Sequence, residues 1–190
     1  MTARHMVPEL ATKRLELLQE AVPGISWVFV LTYLIDPIAP LQVQAMQEVA
    51  PAVGVTLLVH DIRAAEDLPV AFDAAVKEGA EGLMVTAESI FVTYRGRVSE
   101  LAAQHRLPAA YPFAIQVRDG GGLMAYDVIA ADLHRRAAGY VDRIFKGAKP
   151  ADLPIQQPSQ YELLINLKAA KALGLTIPPM LLMRADEMIR

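Results

Sequence analysis

The sequence predicts an α/β fold: a doubly wound, mostly parallel sheet of the flavodoxin-like kind, with a C-terminal helical and extended appendage. Three observations predict it. Short apolar runs alternate with helical patterns of about 10–15 residues, the signature of βαβ units. The runs are apolar on both faces, as a sheet covered by helices on both sides requires. Turn signals such as Pro23-Gly24 and Asp36-Pro37 separate the two kinds of segment. Right-handed crossovers then give a layer of about five strands.

The elements follow in order. Pro8 to Ala21 reads as a helix, with Leu10, Leu17, Leu18 and Ala21 on one stripe and the stem of Arg14 completing it. Ile25 to Ile35 is β-branched and aromatic and reads as a buried strand. Leu41 to Val53 is helical, Val55 to Val59 a strand, Glu66 to Glu78 a helix, and Gly82 to Val85 a strand closed by Thr86. Ser89 or a neighbour caps a helix running to about His105. Pro108 to Tyr111 and Gly122 to Tyr126 are short strands. The helix from about Ile129 to Phe145 ends at Gly147, a good residue for the left-handed turn that closes a helix. Prolines at 150, 154 and 158 mark an extended connector. Tyr161 to Asn166 is a last strand, Lys168 to Leu173 a short helix, and Pro179 to Ile189 a terminal helix. The division is residues 1–21 as a leading helix, 22–127 as the α/β ligand-binding lobe, and 128–190 as crossover helix, connector and terminal segment.

Composition narrows the function. Hydrophobic residues make up 54% of the 190 and charged ones 21%, an ordinary globular balance. A net charge of −3 argues against nucleic acid as a partner. The absence of cysteine removes disulfides, thiolate catalysis and cysteine zinc sites. The apolar runs fall short of the ~20 residues that a membrane helix needs. Met1 to Met6 carries no apolar signal core, so the chain as written has no export address and reads as cytoplasmic.

Ligands of an open parallel sheet bind beyond the carboxyl ends of its strands. The loop residues there are Thr32, Tyr33 and Asp36; Thr86, Glu88 and Ser89; Tyr111 and Phe113; and Ala125, Tyr126 and Asp127. Rings and short polar groups suit a small amphipathic solute. Ser89, at a helix start, offers backbone amides to a ligand carboxylate; the alternative is that Ser89 or Glu88 only caps its helix. Asp36, Glu88 and Asp127 are either an acidic cluster, able to anchor an ammonium, or unrelated solvated acids. Gly120-Gly121-Gly122 is a turn or hinge, since it lacks the lysine of a phosphate loop and precedes a strand. His60 alone among the four histidines sits at a strand end, and reads as a loop histidine more readily than a base. No nucleophile, metal or dinucleotide motif is present, so no enzyme, metal or cofactor is predicted.

Three stretches carry a family likeness. They are Pro8-Glu9-Leu10-Ala11-Thr12-Lys13-Arg14-Leu15-Glu16-Leu17-Leu18; Leu101 to Ala109 with Tyr111 soon after; and the tail, with Tyr161-Glu162-Leu163-Leu164-Ile165-Asn166-Leu167-Lys168-Ala169-Ala170-Lys171 leading to Leu175-Thr176-Ile177-Pro178-Pro179. In their order and spacing they resemble the TrpX-like group of ABC-transporter substrate-binding proteins, of the type I periplasmic binding fold. The resemblance implies a solute-binding component of an ABC importer that closes around a small solute, possibly an amino acid. It implies a periplasmic location, an ABC permease as partner of the exported form, and ligand contacts from Tyr33, Asp36, Glu88, Ser89, Phe113 and Tyr126. This chain departs from relatives in having Met124-Ala125-Tyr126-Asp127 where Met-Ser-Tyr-Gly is common, and Tyr33-Leu34-Ile35-Asp36-Pro37 where an asparagine-proline loop is. The expected form is truncated, lacking the N-terminal lobe, and dimeric through its uncovered faces. The alternative is a cytoplasmic small-molecule sensor or interaction module derived from such a lobe.

Overall fold

Along the first strand, Val28 and Val30 join one apolar cluster, while Phe29 and Leu31 join another on the opposite face. That two-sided burial follows from the period of two in a strand, and it sets the layered architecture. The computed structural model describes residues 6–154 and 156–190; the readings made on residues 1–5, including His5, and on Ile155 of the connector lie outside the described residues.

The leading helix α1 (Met6–Ala21) precedes β1 (Trp27–Thr32), α2 (Ala39–Val49), β2 (Thr56–Asp61), α3 (Leu68–Lys77) and β3 (Gly82–Val85). Next come α4 (Ser89–Thr93), α5 (Arg95–Gln104), β4 (Ala109–Tyr111), α6 (Ala114–Arg118) and β5 (Met124–Val128). After α7 (Ala130–Phe145) the chain returns through β6 (Tyr161–Asn166), α8 (Leu167–Ala172), α9 (Pro179–Leu182) and β7 (Glu187–Ile189). The sheet order is β2-β1-β3-β4-β5-β6-β7. The pairs from β2 across to β5 are all parallel, the doubly wound order that the alternation predicted. β6 joins β5 antiparallel, and β7 lies parallel to β6.

On one face, α1 and α2 pack Ala11, Leu15, Leu18, Val43 and Met46 over the sheet. On the other, α3, α5 and α6 bring Phe72, Ala75, Val98, Leu101 and Val117. Arg118 of α6 ties the added strands down by bonding Glu162 of β6 (2.8 Å) and Glu187 of β7 (2.7 Å).

Three readings need correction. The segment from Pro179 to Ile189 is not one helix: Pro178 and Pro179 start a single turn, and Glu187–Ile189 then pairs with β6, because an edge strand gains backbone partners that a frayed helix end lacks. The helix beginning at Ser89 is broken at Tyr94 into α4 and α5. The triple glycine closes α6, which the periodicity missed: Gly122 donates its amide to the Gln116 carbonyl at 3.1 Å. A Cβ on Gly122 would sit 2.4 Å from the Tyr111 ring. Gly122→Ala should therefore cost about 1–3 kcal/mol by forcing that ring off its site. Urea unfolding measures it, and an unchanged midpoint would show that Tyr111 has room to move.

Helix α7 stands apart. Its Arg136 bonds the Gln157 carbonyl (3.1 Å) and the Ser159 hydroxyl (2.6 Å), and its Tyr140 donates to the Pro154 carbonyl, so the connector runs back along one side. Val141, Ile144 and Phe145 are exposed, Phe145 at 87%. The helix ends as expected at Gly147, whose φ is 98°.

Candidate functional site

α2 leaves the carboxyl end of β1 toward one face of the sheet, and α4 leaves β3 toward the other. The two ends therefore part at β1 and β3, where open α/β sheets form a ligand crevice. Thr32 ends β1 and Thr86 follows β3; both are buried. The side chains placed here are polar but almost inaccessible: Glu88 is 1% exposed, Gln42 of α2 is 0%, and Arg14 of α1 is 2%.

The hydrogen bonds define a small network. Gln42 receives the Ala87 amide on Oε1 (3.0 Å) and donates from Nε2 to Glu88 Oε1 (2.8 Å). The Thr86 hydroxyl lies 3.0 Å from the Leu31 carbonyl and also in hydrogen-bond contact with Glu88 Oε2. A hydroxyl has one proton to give. With that proton on the Leu31 carbonyl, the Glu88 contact is satisfied when Glu88 is the donor, in its neutral form. Burial pushes the Glu88 carboxyl in that direction, up to about 7, with the charge of Asp36 adding to it; Thr86, Gln42 and Arg14 oppose the rise.

Arg14 is the least satisfied group. Its Nη1 reaches the Tyr126 carbonyl at 3.5 Å, while Nε and Nη2 are buried with no hydrogen-bond partner among the described residues. Burial lowers its pKa to about 10, against the pull of Asp127 and Glu88, so it stays charged at neutral pH. Thr32 Oγ1 is buried and unpartnered as well. Groups of this kind are almost always paired in folded proteins, so these two residues stand out from the rest of the interior.

The predicted residues divide sharply. Thr32, Thr86 and Glu88 meet in the crevice. Asp36 sits at its edge, where its Oδ1 accepts the Ile38 amide (3.0 Å) and its charge acts on Glu88. Leu34 and Ile35 beside it are exposed at 42% and 61%, an apolar lip to the crevice. Tyr33 is half-buried against the far core. Asp127 lies on the Arg14 side, its oxygens taking the amides of Ala114 (2.9 Å) and Val128 (2.7 Å); burial raises its pKa. The three acids thus divide into Asp36 with Glu88, and Asp127 beyond Arg14. Tyr126 stacks on Tyr161 with ring centroids 5.7 Å apart, and Phe113 is half-buried at the start of α6.

Two residues leave the predicted set. Tyr111 is fully buried and turned toward the opposite end of the sheet, its hydroxyl 3.2 Å from Ser99 Oγ. Ala125 faces the same core as Leu164 and Val117. Ser89 is exposed and starts a helix of only 5 residues, and neither Ser89 nor Glu88 caps it through a side chain, because the Glu88 carboxyl is turned inward. His60 lies within β2, away from Glu88, with its ring edge-on to Phe29 and its Nε2 3.4 Å from Glu78. Among the described residues no group of three His, Cys, Asp or Glu could hold a metal. Sequence reasoning missed Arg14 and Gln42 as site residues. Each is a polar residue on the apolar face of a helix whose first turns lie over the carboxyl edge of the sheet, a position that only the fold reveals.

A seven-stranded, mostly parallel sheet with a buried polar cluster at its switch point is a lobe of the type I periplasmic binding fold. The chain belongs to the family described as ABC transporter substrate binding protein, whose model matches residues 8–189. An ABC domain from Streptococcus pneumonia, solved in complex with L-Trp, superposes with a TM-score of 0.85 at 22% identity, covering 95% of this chain and 60% of that one. A conserved domain protein from Vibrio cholerae O1 biovar El Tor gives 0.85 at 22% identity, covering 94% and 60%. The ligand-free, open form of a substrate binding protein with adhesive properties from Clostridium difficile gives 0.71 at 20% identity, covering 93% and 59%. These likenesses concern the fold, and this chain spans about 60% of the length of the structures that it matches. No curated protein matches it. Among the described residues no helix is long and apolar enough to cross a membrane.

Proposed function

We propose that this chain is the ligand-seating lobe of an ABC-importer receptor, and that it takes a small amphipathic solute, an α-amino acid, at the switch-point crevice. The observation that carries the reading is the cluster of Arg14, Thr32 and Glu88. Two unpartnered guanidinium nitrogens and an unpartnered hydroxyl suit a carboxylate. Glu88, with Asp36 behind it, suits an ammonium. The exposed Leu34 and Ile35 and the half-buried Phe113 suit an apolar side chain. The relative solved with L-Trp supports an amino acid over a sugar. Membership of the family supports the remaining roles in this reading: closure of a second lobe over the crevice, presentation to a membrane permease, and a periplasmic site of action. The bare stripe of Val141, Ile144 and Phe145 supports a homodimer for this chain on its own.

A melting screen over the twenty amino acids tests the reading, with the mass in solution measured alongside. A ligand present at 100 times its Kd should add about 2.7 kcal/mol of stability and raise the Tm by several degrees. No shift with any amino acid would remove the receptor reading, and a monomeric mass would remove the dimer.

A further inference from the structure

At the end of the sheet opposite the crevice, α5, β4, the glycine turn, the end of β6 and α8 border an open cavity of about 380 Å³. Its walls are Ala102, Ala103, Leu107, Ala109, Leu123 and Leu173, together with the edge of the Tyr111 ring. The volume falls at the small end of the range for ligand pockets, roughly 300–1,000 Å³.

The polar groups that line this cavity all have protons to spare. Ser99 and Tyr111 are both buried and share one hydrogen bond of 3.2 Å. Two hydroxyls carry two protons, and one bond uses one of them. Among the described residues the second proton has no acceptor. Asn166 spends its Oδ1 on the Ala169 amide at 3.1 Å, where it caps α8, and its Nδ2 has no acceptor among the described residues. Lys168 is the one charged side chain in the lining; no carboxylate lines the cavity. An apolar cavity whose hydroxyl pair and amide have protons to spare, with a cation in the lining and no carboxylate among its described residues, suits an apolar body bearing an oxyanion.

We propose that this cavity is a second small-molecule site, distinct from the crevice at Glu88, and that it takes a small aryl or branched-chain carboxylate. The carboxylate accepts the spare hydroxyl proton and the Asn166 amide, and it faces Lys168. The apolar body lies along Leu107, Leu123 and the Tyr111 ring.

Benzoate is the probe, titrated into the full 190-residue chain and followed by amide NMR, with benzyl alcohol as the uncharged control. Benzoate is expected to move the amides of Gly121, Gly122 and Ala169 together, and to bind about tenfold tighter than benzyl alcohol. Lys168→Ala, an exposed substitution, should weaken benzoate by roughly five- to tenfold and leave benzyl alcohol unchanged. Ala103→Trp, also exposed, should block both ligands without touching the core. Equal affinity for the two ligands, an unaltered affinity in Lys168→Ala, or shifts confined to the Glu88 crevice would overturn the proposal. So would the absence of any shift at saturating benzoate.

Discussion

Arg14→Met is expected to leave the chain as stable as before, or more so, while the affinity for an amino acid falls at least ~tenfold. The two halves of this outcome have one cause. The fall in the Arg14 pKa from 12.5 to about 10 corresponds to roughly 3 kcal/mol of cost in holding the charge where water cannot reach it. Two buried guanidinium nitrogens without partners among the described residues add to that cost. Methionine fills similar space and has no donors to leave unmet. The cost read from the pKa is already net of the attraction of Glu88 and Asp127 for the guanidinium. The loss of that attraction is cushioned because Glu88, already pushed up to about 7, can take a proton. Replacing buried ionic groups by apolar ones of like volume is often neutral or stabilising for this reason. The affinity falls because a hydrogen bond to a charged group contributes about 1.5–3 kcal/mol, a factor of roughly 10–100. Arg14→Lys should recover little of it, since a point charge cannot replace a planar fork. Chemical denaturation and calorimetric titration of the best ligand from the melting screen give both numbers. A drop in stability beyond about 2 kcal/mol would mean that Arg14 is a structural brace, and unchanged affinity would remove it from the ligand seat.

Why Arg14 escaped the sequence reading, when most of the fold did not, has a physical answer. The strands were legible because burial on both faces leaves a composition mark that needs no partner to be seen: Val28 to Leu31 could only be interior. The switch-point loops were legible because topology alone places them. Arg14 was read as a stem covering apolar surface, which is where a long cationic side chain usually lies. Telling a snorkelling arginine from a buried one requires knowing what stands above it. Here that is the end of β5, more than a hundred residues away along the chain. Tyr111 failed for a related reason. Its strand position was right, but the ring direction depends on the space that Gly122 leaves vacant, and sequence alone does not pair those two residues. β7 escaped because 3 residues carry too little periodicity to separate an edge strand from a helix end; its docking is fixed by Arg118, Glu162 and Glu187 acting together.

Glu88 carries the second large effect, a stability that depends on pH. Its pKa is raised in the folded chain, to about 7 from 4.5. Between these values the folded protein holds a proton that the unfolded chain has released. The contribution of Glu88 is therefore fully present below about pH 4.5 and is lost as pH rises through about 7. The full difference approaches about 3 kcal/mol. Glu88→Gln separates this slope from every other titration in the molecule. Glutamine reproduces the neutral acid: its Nε2 donates to Thr86 and its Oε1 accepts from Gln42. The variant should match the parent near pH 4.5, exceed it by about 2–3 kcal/mol at pH 8, and show a flatter profile between. Arg14, Asp36, Gln42 and Thr86, the groups that act on Glu88, are the same in both proteins, so subtraction removes their own contributions. Parallel profiles would mean that Glu88 is already ionised in the folded state. The same proton reports on function. A ligand ammonium settling against Glu88 favours the carboxylate, so binding near pH 6.5 should release up to about one proton, and Glu88→Gln should abolish that release. Titration calorimetry in two buffers of different ionisation enthalpy counts the proton directly. A count of zero at pH 6.5 with full affinity would place the ammonium elsewhere in the crevice.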